Sequence, residues 1–149
     1  MTAVAAGRPL PRQDVLAAVE EALWRYQPVR SRELGLDWAL DAAGTLTLDG
    51  FAPSRTIKET LLEIAASVRG VQRVEDRIVA DPDLEIAVAR ALADDPKTAG
   101  VPAGSVQVFA QLGNVVLVGD LPESLLAEVL RVAGQVPGVR RVVDRLDQA

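Results

Sequence analysis

The chain has 149 residues, is 49% hydrophobic and carries a formal net charge of −5, enough length and apolar content for one ordinary domain or two small ones. Cysteine and histidine are both absent, which removes disulfides, thiolate zinc sites, cysteine nucleophiles and every triad that uses imidazole as base. Basic residues are interleaved with acidic ones, so no broad nucleic-acid footprint is expected.

Residues 1–12 read as a flexible tail. Arg8, Pro9 and Pro11 interrupt the short apolar run there, no signal-peptide core is evident, and no stretch reaches the roughly 20 apolar residues of a spanning helix. The expected location is therefore cytoplasmic. From Asp14, the spacing of Val15, Leu16, Val19, Leu23 and Tyr26 predicts a helix that stops before Pro28. Alternation in Leu34, Leu36, Trp38 and Leu40, then in Leu46 and Leu48, predicts a hairpin across Asp41 to Gly44. Thr56 and Glu59 have capping-box spacing and open a second helix with an Ile57, Leu61, Ile64, Ala65 and Val68 stripe. Gly70 suits its left-handed C-terminal cap, and "VQRVEDRIV" closes the unit as a strand.

The same order then recurs. A shift of 69 residues lays "DVLAAVEEAL" (Asp14 to Leu23) over "DLEIAVARAL" (Asp83 to Leu92) and aligns Gly44, Leu48, Gly50 and Pro53 with Gly113, Leu117, Gly119 and Pro122. A shift of 68 matches "GVQRVEDRI" (Gly70 to Ile78) to "GVRRVVDRL" (Gly138 to Leu146), with six of nine positions identical. Matching blocks in the same order indicate a duplication. In the second unit Asp81 is expected to cap a helix bearing Leu84, Val88, Ala91 and Leu92, with Pro82 at its first position. Val106, Val108 and Ala110, a turn near Gly113 and "NVVLVG" predict the second hairpin, and Leu125, Val129, Ala133 and Val136 the last helix stripe. The expected domains are residues 13–80 and 81–149, joined by a short link around Ala80 to Asp83.

The "LTLDG" of Leu46 to Gly50, the "VVLVG" of Val115 to Gly119 and the two Gly-Val closures resemble the BON family, named for bacterial osmotic-stress and nodulation proteins. That resemblance implies an α+β fold: two tandem αββαβ units, each a three-stranded sheet with two helices packed on one face. It also implies a non-enzymatic module associated with phospholipid or envelope binding. Many members of the family are periplasmic and carry a leader, which this sequence does not show.

Five serines (Ser31, Ser54, Ser67, Ser105, Ser124) lack histidine partners, and neither a phosphate-binding lysine loop nor a dinucleotide fingerprint occurs. No catalytic, cofactor or metal residues are therefore assigned. "GVPAGS" at Gly100 to Ser105 reads as a connecting loop. In the closing strands Val74, Ile78, Val142 and Leu146 should face the helices, while Arg73, Arg77, Arg141 and Arg145 face outward as solvated charges or as phosphate or carboxylate contacts. Asp76 and Asp144 fall on the valine face by strict alternation. They should sit at a sheet margin or accept hydrogen bonds, with a symmetric cation site as the alternative.

"WRYQPVRSR" interleaves Trp24 and Tyr26 with Arg25, Arg30 and Arg32, a mix that suits a membrane interface, or else a core aromatic beside solubilising arginines. The second unit has acidic "ADDPKTAGV" there, and residues 81–149 carry net −4 against −1 for residues 1–80. Any anionic surface should therefore meet the first unit. The expected partner is an anionic phospholipid surface or a protein, in a stress-related role; a cytoplasmic adaptor and a small-ligand or cation sensor are the alternatives. Homo-oligomerisation stays open.

Overall fold

The computed structural model describes residues 10–31, 34–102 and 104–148. Its contacts divide the chain into two compact units, one holding the residues up to Ala52 with Thr56–Ile78, the other Pro53–Arg55 with the residues from Val79 onward.

The first unit opens with α1 (Arg12–Trp24), whose Val15, Val19 and Leu23 recur at four-residue spacing and are buried together. A single short helix, α2 (Gln27–Arg30), follows because Pro28 can sit in a first turn but not inside a helix. Strands β1 (Leu36–Leu40) and β2 (Thr45–Ala52) pair antiparallel, with Trp38 opposite Leu48 and Leu40 opposite Leu46. After α3 (Arg55–Ala66), β3 (Arg73–Ala80) completes a sheet of order β1-β2-β3. Leu46, Leu48, Leu61, Ala65 and Ile78 close one core with the α1 stripe.

The second unit repeats this plan. β3 runs directly into α4 (Asp81–Asp94), which is followed by β4 (Val106–Gln111), β5 (Asn114–Leu121), α5 (Glu123–Gln135) and β6 (Arg141–Gln148). The β4 and β5 strands are antiparallel and β6 lies parallel to β5, so the sheet is mixed and has the order β4-β5-β6. Val115, Leu117 and Leu121 meet Leu84, Val88, Val129 and Ala133 in a second core. The α+β fold expected from the sequence is thus present, with a sheet and its packed helices in each half.

Two pairs of glycines show why the repeat keeps that residue. A Cβ on Gly50 would lie 1.8 Å from the Gly35 carbonyl oxygen, and one on Gly119 would lie 1.9 Å from that of Ser105. Both residues have positive φ, 142° and 153°, and both let the carbonyl of the residue entering the paired first strand come close against the second strand. Gly70 and Gly138, at φ 98° and 97°, are the left-handed residues expected at the helix-to-strand turns.

Several local expectations are corrected. The second helix starts at Arg55, so Thr56 lies inside its first turn, where its carbonyl accepts the Thr60 hydroxyl at 2.9 Å, rather than at the cap. The fourth helix begins at Asp81 itself, with Ala80 as its cap, and Pro82 is second rather than first. The Asp81 carboxylate is engaged elsewhere. In α5, Leu126 and Val132 join the core where Leu125 was expected, because the buried stripe runs through Val129 at three-residue as well as four-residue spacing.

Candidate binding surfaces

Each hairpin is tied at its turn, and the two ties differ. In the first unit Asp41 Oδ1 accepts the backbone N–H groups of Ala43 and Thr45, both at 2.9 Å, so the turn satisfies itself. In the second, a two-residue turn places Leu112 (φ 48°) and Gly113 (φ 87°) in left-handed conformations. There the Leu112 N–H donates to both carboxylate oxygens of Asp81, at 2.8 and 3.0 Å. Burial raises the Asp81 pKa above its ordinary value, and the hydrogen bonds from the Leu112 and Gly113 backbone oppose that shift. Both turn glycines also accept from the segment entering the last strand: Gly44 from Gln72 at 2.9 Å and Gly113 from Arg140 at 2.8 Å.

The edges of the sheets are partly covered by carboxylates. Glu85, one helical turn beyond Asp81, accepts the Ala110 N–H of edge strand β4 at 2.8 Å. On the opposite edge Asp144 Oδ1 accepts the Leu146 N–H at 2.9 Å, as Asp76 Oδ1 accepts that of Ile78 in the first unit. Asp76 also meets Lys58 Nζ at 3.2 Å. Asp76 and Asp144 are therefore exposed residues on edge strands that occupy donors otherwise open to a further strand. Among the described residues no group of three or more carboxylates gathers as a metal set.

Of the aromatic and basic segment, Trp24 ends α1 and is 41% exposed. Arg25 caps that helix and its guanidinium meets Glu21 Oε1 at 2.5 Å, while Arg30 Nη1 donates to the Arg25 carbonyl at 3.4 Å. Tyr26 turns inward and packs against the first core, so it is not presented with the others. Arg32 lies outside the described residues. The matching positions of the second unit are Ala93, Asp94 and Asp95. Nearby, buried Thr98 donates its hydroxyl to the Leu92 carbonyl at 2.6 Å and fastens the loop after α4. Arg131 bridges Glu128 at 2.8 Å and Asp95 at 3.5 Å, tying that loop to α5.

Arg73, Arg77, Arg141 and Arg145 are all exposed on the outer faces of their strands, as expected, with Arg77 held 3.1 Å from Glu75. The outer faces themselves differ in a way that the sequence reading missed. In the first unit the central row is Ala39, Thr47 and Glu75, and the Thr47 hydroxyl donates to Glu75 at 3.3 Å. In the second unit the matching row is Phe109, Val116 and Val143, consecutive partners across β4, β5 and β6. Phe109 is 51% exposed, and with Val116, Val118 and Val143 it lies outside the packed core. The unbroken apolar run Val115 to Val118 was the available signal, since a strand with one wet face should alternate.

Two pockets hold 180 and 220 Å³, below the roughly 300–1,000 Å³ of ordinary small-molecule sites. A broader concavity of 690 Å³ is an open groove between α4 and α5. No helix among the described residues is long and apolar enough to cross a membrane.

No curated protein matches the chain. Solved structures of CdsD, a structural protein of the type III secretion system of Chlamydia trachomatis, are similar at 12% identity, with 91% of this chain and 92% of that one covered and a TM-score of 0.41. Its C-terminal domain is similar at 13% identity over 94% of this chain and 100% of that one, with a TM-score of 0.42. The model of the BON domain matches residues 41–82 and again residues 80–149. With the β2 strand and its Gly50, the whole second hairpin and both Gly-Val closures inside those matches, the chain belongs to the BON domain family and carries the domain twice.

Proposed function

We propose that this chain is a non-enzymatic tandem binding module that docks on an anionic phospholipid or envelope surface through the end of α1. The observation that carries the reading is Trp24, 41% exposed at a helix end beside Arg25 and Arg30, which suits the headgroup region of a bilayer. Each basic residue near such a surface contributes about 1 kcal/mol, so the contact is weak and sensitive to salt. Net charge points the same way, because the second half carries net −4 and is repelled more strongly by the same surface. Co-sedimentation with phosphatidylglycerol-containing vesicles tests this directly: binding is expected at low salt and release at high salt, and protein that stays in the supernatant at low salt rejects it.

A protein-adaptor role is the second reading, favoured by the apolar outer row of Phe109, Val116 and Val143. Adaptor binding by strand addition has less support than binding by the sheet face. Carboxylates already occupy edge N–H groups at Ala110 and Leu146.

A further inference from the structure

The outer face of the second sheet is built in four rows. Gln111, Asn114 and Arg141 lie across the strands in the first row, Phe109, Val116 and Val143 in the second, Gln107, Val118 and Arg145 in the third, and Asp120 and Asp147 in the last. The second row is apolar, the third sets Val118 between Gln107 and Arg145, the first carries Arg141 and the last is acidic. Such a surface is complementary to itself when inverted. We infer that this face is a docking site for a second copy of the chain, packed face to face about a two-fold axis perpendicular to the strands.

The charge pattern selects that axis. Inversion along the strands sets Arg141 of one copy against Asp147 of the second and Asn114 against Asp120, twice each by symmetry. Val116 then meets Val118, Phe109 lies over Gln107, and Val143 lies over the aliphatic stem of Arg145. The other in-plane axis, parallel to the strands, would set Asp120 against Asp120 and leave the arginines facing glutamines, so it is disfavoured. Aligned sheets of this kind pack about 10 Å apart with interleaved side chains. The first unit could not pair this way, because its matching row is Ala39, Thr47 and Glu75.

Three strands spaced by about 4.8 Å and some eight residues long offer a face well under the roughly 800 Å² per partner of a standard stable interface. The dimer is therefore weak and concentration-dependent.

Sedimentation equilibrium over a concentration series reads this out, starting from the monomer mass of 15.8 kDa. The weight-average mass of the wild type should climb toward twice that value as concentration rises. Phe109→Asp, at a half-exposed site, should hold it at the monomer. Arg141→Asp should weaken association on the order of tenfold or more. The double variant Arg141→Asp/Asp147→Arg, which restores both pairs with their signs exchanged, should recover it. A wild type that stays monomeric at every concentration overturns the inference, as does a Phe109→Asp chain that still dimerises or a charge exchange that fails to rescue. Loss of vesicle binding on Phe109→Asp in a monomeric protein would overturn it too, and would give the face to lipid.

Discussion

Asp81, the first residue of α4, holds the Leu112 N–H at 2.8 Å, whereas Arg12, its counterpart 69 residues earlier, donates Nε to the Leu40 carbonyl at 2.7 Å. The duplicated units thus pin helix to hairpin at the same place with opposite polarity. Where the turn cannot satisfy its own N–H, the helix supplies an acceptor. Where Asp41 already does so, the helix supplies a donor to the strand end. Removing the acceptor leaves a left-handed leucine with an unpaired donor. Asp81→Ala should therefore cost about 1–3 kcal/mol in urea denaturation, and Arg12→Ala less.

The pH dependence of that tie follows from burial. The folded-state pKa of Asp81 is raised above its ordinary 3.8, so the folded protein takes up the proton before the unfolded chain does. Its contribution is fully present below the unfolded pKa and is lost as pH rises through the folded value. Wild-type stability relative to Asp81→Asn should accordingly increase as pH falls toward about 4, and a relative decrease in paired denaturation curves would reverse the sign.

Leu61 has no exposed surface at the centre of the first core. Its replacement by alanine should cost about 2–5 kcal/mol, since the surrounding Val19, Leu46 and Ala65 cannot collapse fully into the gap. A loss below about 0.5 kcal/mol by chemical denaturation would contradict that packing.

Gly50→Ala and Gly119→Ala should each be more damaging than a solvent-facing Gly100→Ala. The added methyl would meet a backbone carbonyl at 1.8 or 1.9 Å in the first two and nothing within 4 Å in the third. Thermal melts should show large losses for the former pair and little change for the latter.

Much of this was legible in the residues. Period-two valines and leucines placed the strands, the apolar helix stripes placed the cores, and the repeated Gly70 and Gly138 marked the left-handed turns. What the sequence hid was the use of side chains across elements. An aspartate before a proline reads as a cap, yet Asp81 serves a turn 31 residues away, because cap and cross-element acceptor need the same chemistry. Tyr26 and Trp24 look equivalent in "WRYQPVRSR", and only the direction of the chain after α1 sends one inward and leaves the other out. The apolar outer row was hidden because each strand was read alone, whereas Phe109, Val116 and Val143 become a surface only through strand register.

The chain has two tryptophans, and Trp38 packs against the first core. In a Trp38→Phe background, Trp24 emission therefore reports on the proposed lipid contact alone. Titration with phosphatidylglycerol-containing vesicles at low salt should shift that emission to the blue, with the shift reversed by high salt and abolished by Arg25→Glu/Arg30→Glu. Emission that stays at its solvent-exposed wavelength with saturating vesicles would contradict docking through the end of α1.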